Sequence, residues 1–99
     1  MAPGRRRVVW TARARRAVHD TLTYVALDSP QAASDLLIKI IARAKSLAVR
    51  SERGRMVPEV GDPALRELLV MPHRFLYEVH STEIRVVAFL HQREDFTRR

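Results

Sequence analysis

The sequence predicts an α+β fold: an N-terminal strand, an antiparallel helical hairpin, then a meander of about four antiparallel strands, with the helices packed on one sheet face. Three observations predict it. Apolar residues recur at helical spacing between Ala12 and Ala48, interrupted at Asp28-Ser29-Pro30. From Gly54 onward, short runs of leucine, valine and aromatics alternate with the breakers Gly61-Asp62-Pro63, Met71-Pro72-His73 and His80-Ser81-Thr82-Glu83. The chain has 99 residues, room for one core but not two, so helices and strands must share it.

Met1 to Arg6 contains Pro3-Gly4 and no periodicity, which predicts a flexible basic arm. Arg7-Val8-Val9-Trp10 is a short strand, with Trp10 as a core anchor. Thr11 suits an N-cap, because its hydroxyl can accept from the unpaired amides of the first turn. The first helix turns Ala14, Ala17, Val18, Thr21, Leu22 and Val25 inward, shows Arg13, Arg16 and Asp20 to solvent, and stops near Leu27. Ser29 caps the second helix, and Pro30 fits its first position, where a missing amide costs nothing. That helix carries Ala33, Leu36, Leu37, Ile40, Ile41, Ala44, Leu47 and Ala48 inward. So short a link between amphipathic helices implies an antiparallel hairpin.

Gly54 suits a left-handed turn after the second helix. Arg55 to Glu59 reads as a short strand that Pro58 confines to an edge or a bulge. Two strands follow on either side of Met71-Pro72, and Ile84 to Leu90 forms the last. A single domain over 7–93 with a polar tail over 94–99 results. Alternation puts Arg66, Leu68 and Val70 on one face, opposite Leu65, Leu69 and Met71. It likewise separates Phe75, Tyr77 and Val79 from Arg74, Leu76 and Glu78, and groups Val87, Phe89 and His91. The sheet face away from the helices is expected to be partly open, lined by Arg66, Arg74 and the end of the last strand. A site would lie there.

Composition narrows the chemistry. Hydrophobic residues make up 46% and charged residues 29%, as in a folded globular domain. The absence of cysteine excludes disulfides, zinc–thiolate sites and thiol nucleophiles, and His19, His73 and His80 show no ligand spacing, so no metal site is expected. No apolar run approaches the ~20 residues of a membrane span, and Val8-Val9-Trp10 is too short for a secretory signal. A cytoplasmic protein without membrane contact is expected. The net charge is +7, and residues 1–53 hold all of it: 11 Lys/Arg against 4 Asp/Glu, while 54–99 hold 7 of each. Such a basic half attracts polyanions: nucleic acid, ribosome or an acidic protein.

One set of ordered segments resembles a known family. Val9-Trp10-Thr11 leading into a helix, Ser29-Pro30, Gly54-Arg55-Met56-Val57-Pro58-Glu59, Leu65-Arg66-Glu67-Leu68, Arg74-Phe75-Leu76-Tyr77-Glu78-Val79 and His91-Gln92-Arg93 are similar to the RelE/ParE superfamily, toxins of type II toxin–antitoxin modules. The likeness covers about residues 7–93. The family's aromatic before the fourth-strand arginine is His73 here. The resemblance implies a cognate antitoxin whose segment wraps the toxin, a toxin–antitoxin hetero-oligomer, and no cofactor.

The superfamily holds two chemistries. RelE-like members cut messenger RNA on the ribosome, using the RNA 2′-hydroxyl as nucleophile, so the protein supplies a base, an acid and cations. On that reading Arg66 and Arg74 stabilise charge and His91 moves the proton, with Tyr77 and Glu67 as weaker candidates. ParE-like members bind DNA gyrase and need no catalytic set; Arg55, Arg66, Arg74 and Arg93 are then partner contacts. The neutral strand half and the Gly54-Arg55 and His91-Gln92-Arg93 segments favour the ParE-like branch. A non-toxic basic nucleic-acid-binding protein is the reading from another class. Against these stand bland roles: Arg66 in an ion pair with Glu78, Arg74 as structural, Tyr77 in the core, and His91 satisfied at a sheet edge.

Overall fold

The computed structural model describes residues 5–96; most of the expected arm and the end of the expected tail lie outside them. The elements are β1 (Arg7–Trp10), α1 (Ala12–Asp28), α2 (Pro30–Ser46), β2 (Arg55–Met56), β3 (Leu65–Val70), β4 (His73–Val79) and β5 (Glu83–His91). They form two antiparallel helices on a five-stranded mixed sheet of order β1-β5-β4-β3-β2. β1 runs parallel to β5, and the other neighbours pair antiparallel.

The local signals act as the sequence suggests. Thr11 Oγ1 accepts from the Ala14 amide at 3.1 Å and Ser29 Oγ from the Ala32 amide at 3.1 Å, with Pro30 at the first turn of α2. The helices cover one sheet face. Ala14, Val18, Ile40, Ala44 and Leu47 pack there on Leu68, Val70, Phe75, Tyr77, Ile84, Val86 and Phe89. Trp10, half-buried at the edge of this core, stands edge-on to Phe75 with ring centroids 5.4 Å apart.

Several details differ from the sequence reading. β2 has two residues rather than five, because the chain turns away at Val57. Val57 and Val60 fold over the second sheet face with Phe96, closing a smaller core on Leu65, Leu76 and Ala88. That face is therefore partly covered. Phe96 is buried, so residues 94–96 lie against the sheet instead of leaving it as a polar tail.

Val87 does not share a face with Phe89 and His91. A bulge sets Leu76 opposite Ala88 and Tyr77 opposite Val86, leaving Val87 unpaired. Val87 then packs in the smaller core, while Ile84 and Val86 join Phe89 under the helices. Leu37 and Ile41, expected inward, are exposed. Gly54 does not take up the left-handed conformation; Gly61 does, with φ of 73°.

Candidate functional site

Arg74 and Glu67 come from paired strands and point to the second sheet face, Glu67 opposite Leu76 and Arg74 opposite Leu69. Both are buried. Arg74 Nη1 donates to Glu67 Oε1 at 2.8 Å and to Glu59 Oε1 at 3.2 Å, while Nη2 donates to Glu59 Oε2 and to the Glu94 carbonyl. Arg55, on the exterior, closes the other oxygen of Glu67. Glu59 Oε2 also accepts the Phe96 amide at 2.9 Å. One guanidinium thus ties the 57–60 turn and the C-terminal segment to the sheet.

The Arg74 hydrogen bond holds the Glu59 carboxyl down at about 2, from an ordinary 4.5, against the upward pull of burial. The unfolded chain takes up this proton first as pH falls. Glu59 therefore adds stability that is complete above pH ~4.5 and is lost toward pH ~2. Urea titrations at pH 5 and pH 2.5 should show this loss, and Glu59→Gln should flatten it. An unchanged slope in the variant would remove Glu59 from the account.

Arg66 faces the other way. It lies opposite Tyr77, on the helix side, and donates from Nη1 to the Gly54 carbonyl at 3.0 Å; it does not pair with Glu78. The Glu78 carboxylate instead meets His80 at 3.0 Å. Tyr77 is wholly buried, and its phenol oxygen accepts the Gly54 amide at 2.9 Å. Burial pushes its phenol upward despite that hydrogen bond and the nearby Arg66 and Arg53. The Tyr77 ring packs in the core with Phe75 and Val86.

His91 sits at the far end of the same face, opposite His73. Four residues of strand separate the Arg66–Tyr77 row from the His73–His91 row, about 13 Å. Arg66, Arg74 and His91 therefore do not converge. His91 Nδ1 accepts the Arg93 amide at 3.2 Å, which leaves the proton of a neutral ring on Nε2. His73 stacks on Phe89 at 4.9 Å and meets His91 edge-on at 5.9 Å. Burial lowers the His73 pKa, the nearby His91 lowers it further, and Glu94 opposes both. With Arg13, Asp20 and Thr21 of α1, these rings line a cleft of about 440 Å³. Arg93, two residues beyond His91, is exposed.

The sequence reading missed Glu59, Glu94 and Phe96. Phe96 carried a visible signal, as the lone aromatic in a polar segment; Glu59 carried none, since its partner lies 15 residues away.

A second surface is apolar. Trp10, Val18, Leu22, Leu37, Ile40 and Ile41 line a groove of about 340 Å³ between the helices, with Arg15 and His19 at its border. Beside it, Val8, Trp10, Ile41, Ala44 and Ala48 form another, bordered by Arg5 and Lys45. Ile38 and Leu27 are 65% and 82% exposed, which makes the outer face of the hairpin unusually apolar for a charged protein.

Comparisons with known proteins agree with this architecture. The structure of the chromosomal ParDE toxin–antitoxin system from P. aeruginosa matches with a TM-score of 0.70, covering 87% of this chain and 95% of that one at 24% identity; the likeness is one of fold. No curated protein is similar enough in sequence to count as a relative. Residues 8–96 match the family model described as the ParE toxin of type II toxin–antitoxin system, parDE. With the βααββββ order, the helix-covered sheet and a match over nearly its whole length, the chain belongs to the family of ParE toxins of type II toxin–antitoxin systems.

Proposed function

We propose that the chain arrests bacterial growth in the cytoplasm by binding DNA gyrase, as a ligand of its target and not as a nuclease. The dispersal of Arg66, Arg74 and His91 carries this reading. Arg74 is committed to Glu59 and Glu67, Arg66 to the Gly54 carbonyl, and the imidazole lies about 13 Å along the sheet from Arg66. General acid–base catalysis needs such groups within hydrogen-bond reach of one reacting phosphate. Exposed Arg55 and Arg93 remain available as target contacts, and buried Arg74 does not.

The test follows thymidine and amino-acid incorporation in parallel after induction. DNA synthesis should fall first, with filamentation. Early collapse of protein synthesis with DNA synthesis intact would overturn the gyrase reading in favour of mRNA cleavage. A matching variant is Arg66→Ala with His91→Ala. It should keep toxicity within about tenfold, whereas a ribonuclease using these groups would lose at least ~100-fold.

We also infer a cognate antitoxin, as the pairing named in the P. aeruginosa structure suggests. The grooves around Trp10 and Ile41, bordered by Arg5, Arg15 and Lys45, suit an amphipathic segment with acidic edges. Ile41→Glu should then abolish neutralisation in co-expression while leaving toxicity.

A further inference from the structure

Part of the excess positive charge lies at one pole, around the loop after α2, and the rest is carried mainly by α1 and α2. Arg6 is held to the loop after α2 by two hydrogen bonds, its amide to the Ala48 carbonyl at 2.8 Å and Nη1 to Ser51 Oγ at 3.0 Å, and to the turn between β4 and β5 by a third, Nε to the His80 carbonyl at 2.8 Å. Ser51 is buried and its hydroxyl donates to the Leu47 carbonyl at 2.8 Å, which fixes the acceptor that Arg6 uses. Arg53 Nη1 donates to Ser46 Oγ at 2.9 Å. Arg6, Arg50 and Arg53 line one concavity of about 390 Å³, with Glu52 its lone acidic residue. Exposed Arg5 adjoins it along the chain.

These guanidiniums differ in what holds them from three of the strand half, although Arg66 there also meets only a carbonyl. Arg55, Arg74 and Arg85 each meet a carboxylate: Glu67, Glu59 and Glu67, and Glu83. Among the described residues, none of Arg6, Arg50 and Arg53 meets a carboxylate; hydroxyl and carbonyl oxygens position Arg6 and Arg53, and none of the three charges is neutralised by an ion pair. Five of its six lining residues are polar or charged, Val49 being the exception, and so small a concavity offers an acidic protein segment little apolar area to bury. Forked, unneutralised arginines spaced around a polar hollow match phosphate oxygens.

We propose that this pole binds the phosphate backbone of duplex DNA without reading its sequence. Each phosphate neutralised releases condensed counterions, so the affinity should fall steeply with salt. Four contacts, from Arg5, Arg6, Arg50 and Arg53, imply a slope of log K against log[salt] of about −3.6, and two imply about −1.8. The pole is separate from the apolar grooves, and the inference stands whether or not gyrase is the target.

Fluorescence anisotropy of a labelled 20-base-pair duplex with the full chain, between 50 and 200 mM salt, tests it. Arg50→Ala/Arg53→Ala should weaken binding at every salt and halve the slope, and Arg50→Gln/Arg53→Gln should do the same. Unchanged thermal melts would show that neither pair acts by unfolding. The control Arg15→Ala/Arg16→Ala removes the same charge from α1 and should leave the slope near the parent value. Equal losses in both double variants would mean attraction by net charge alone and would overturn the site. So would the absence of duplex binding at 50 mM salt, or displacement of the duplex by polyglutamate at lower charge equivalents than by unlabelled DNA.

Discussion

Arg74→Ala should lower the unfolding free energy by about 3–5 kcal/mol, the range for removing one partner of a buried ion pair. The substitution leaves the Glu67 carboxylate, 1% exposed, with Arg55 on its outer side alone, and turns Glu59 toward it without an intervening cation. It also removes the donor to the Glu94 carbonyl, so the C-terminal segment loses one of its ties and Phe96 becomes free to lift from Leu65, Leu76 and Ala88. Arg74→Lys should recover a minor part, because one ammonium cannot span two carboxylates and a carbonyl. The comparison is Arg85→Ala, whose exposed pair with Glu83 should contribute under about 1 kcal/mol. Urea unfolding of the three variants measures the order, and a loss for Arg74→Ala no larger than for Arg85→Ala would sink this assignment.

Gly54→Ala should cost about 3 kcal/mol, the upper part of the range for overpacking. A Cβ there would lie 2.5 Å from the Glu67 carbonyl oxygen and 2.6 Å from the Tyr77 phenol oxygen. The first is sheet backbone and the second a buried ring, so neither can step aside cheaply. The same close approach lets the Gly54 amide reach Tyr77 and its carbonyl reach Arg66. Tyr77→Phe alone should cost about 1–2 kcal/mol, the loss of a buried acceptor. In the Tyr77→Phe background, Gly54→Ala should cost about 1 kcal/mol less than in the parent, because one of the two collisions has gone. Strict additivity in that cycle would show that the strand backbone, not the phenol, sets the limit.

Local signals in the sequence were enough for the elements and their order. Caps at Thr11 and Ser29, Pro30 at a helix start and breakers at Gly61 to Pro63 and at Met71-Pro72 all act within a few residues, and short-range patterning reports such effects well. What it could not supply was long-range pairing. The expectation that Arg66 and Arg74 share an open face failed because alternation fixes faces within a strand but not the phase between strands. The observed register opposes Arg66 to Tyr77 and Arg74 to Leu69, and so divides them. Gly54 was recognised as special for the wrong reason: crowding by a strand and a ring 13 and 23 residues away, not backbone handedness, excludes a side chain there. The helix-side core was readable from periodicity, yet Leu37 and Ile41 were assigned to it because the second helix has more apolar surface than its own sheet covers. That surplus is now part of the partner surface argued above.

The unpaired Val87 bears on how this strand can tolerate changes in length. Because Val87 and Ala88 both pack toward the smaller core, removing Val87 would leave Ile84, Val86 and Phe89 on the helix side and merely straighten β5. Losing a residue from the regular stretch between Ile84 and Val86 would instead exchange faces, drawing Arg85 toward the core or turning an apolar neighbour out. Relatives whose last strand is one residue shorter should therefore align with a gap at Val87, and a gap placed elsewhere in the strand would misassign the positions between it and Val87.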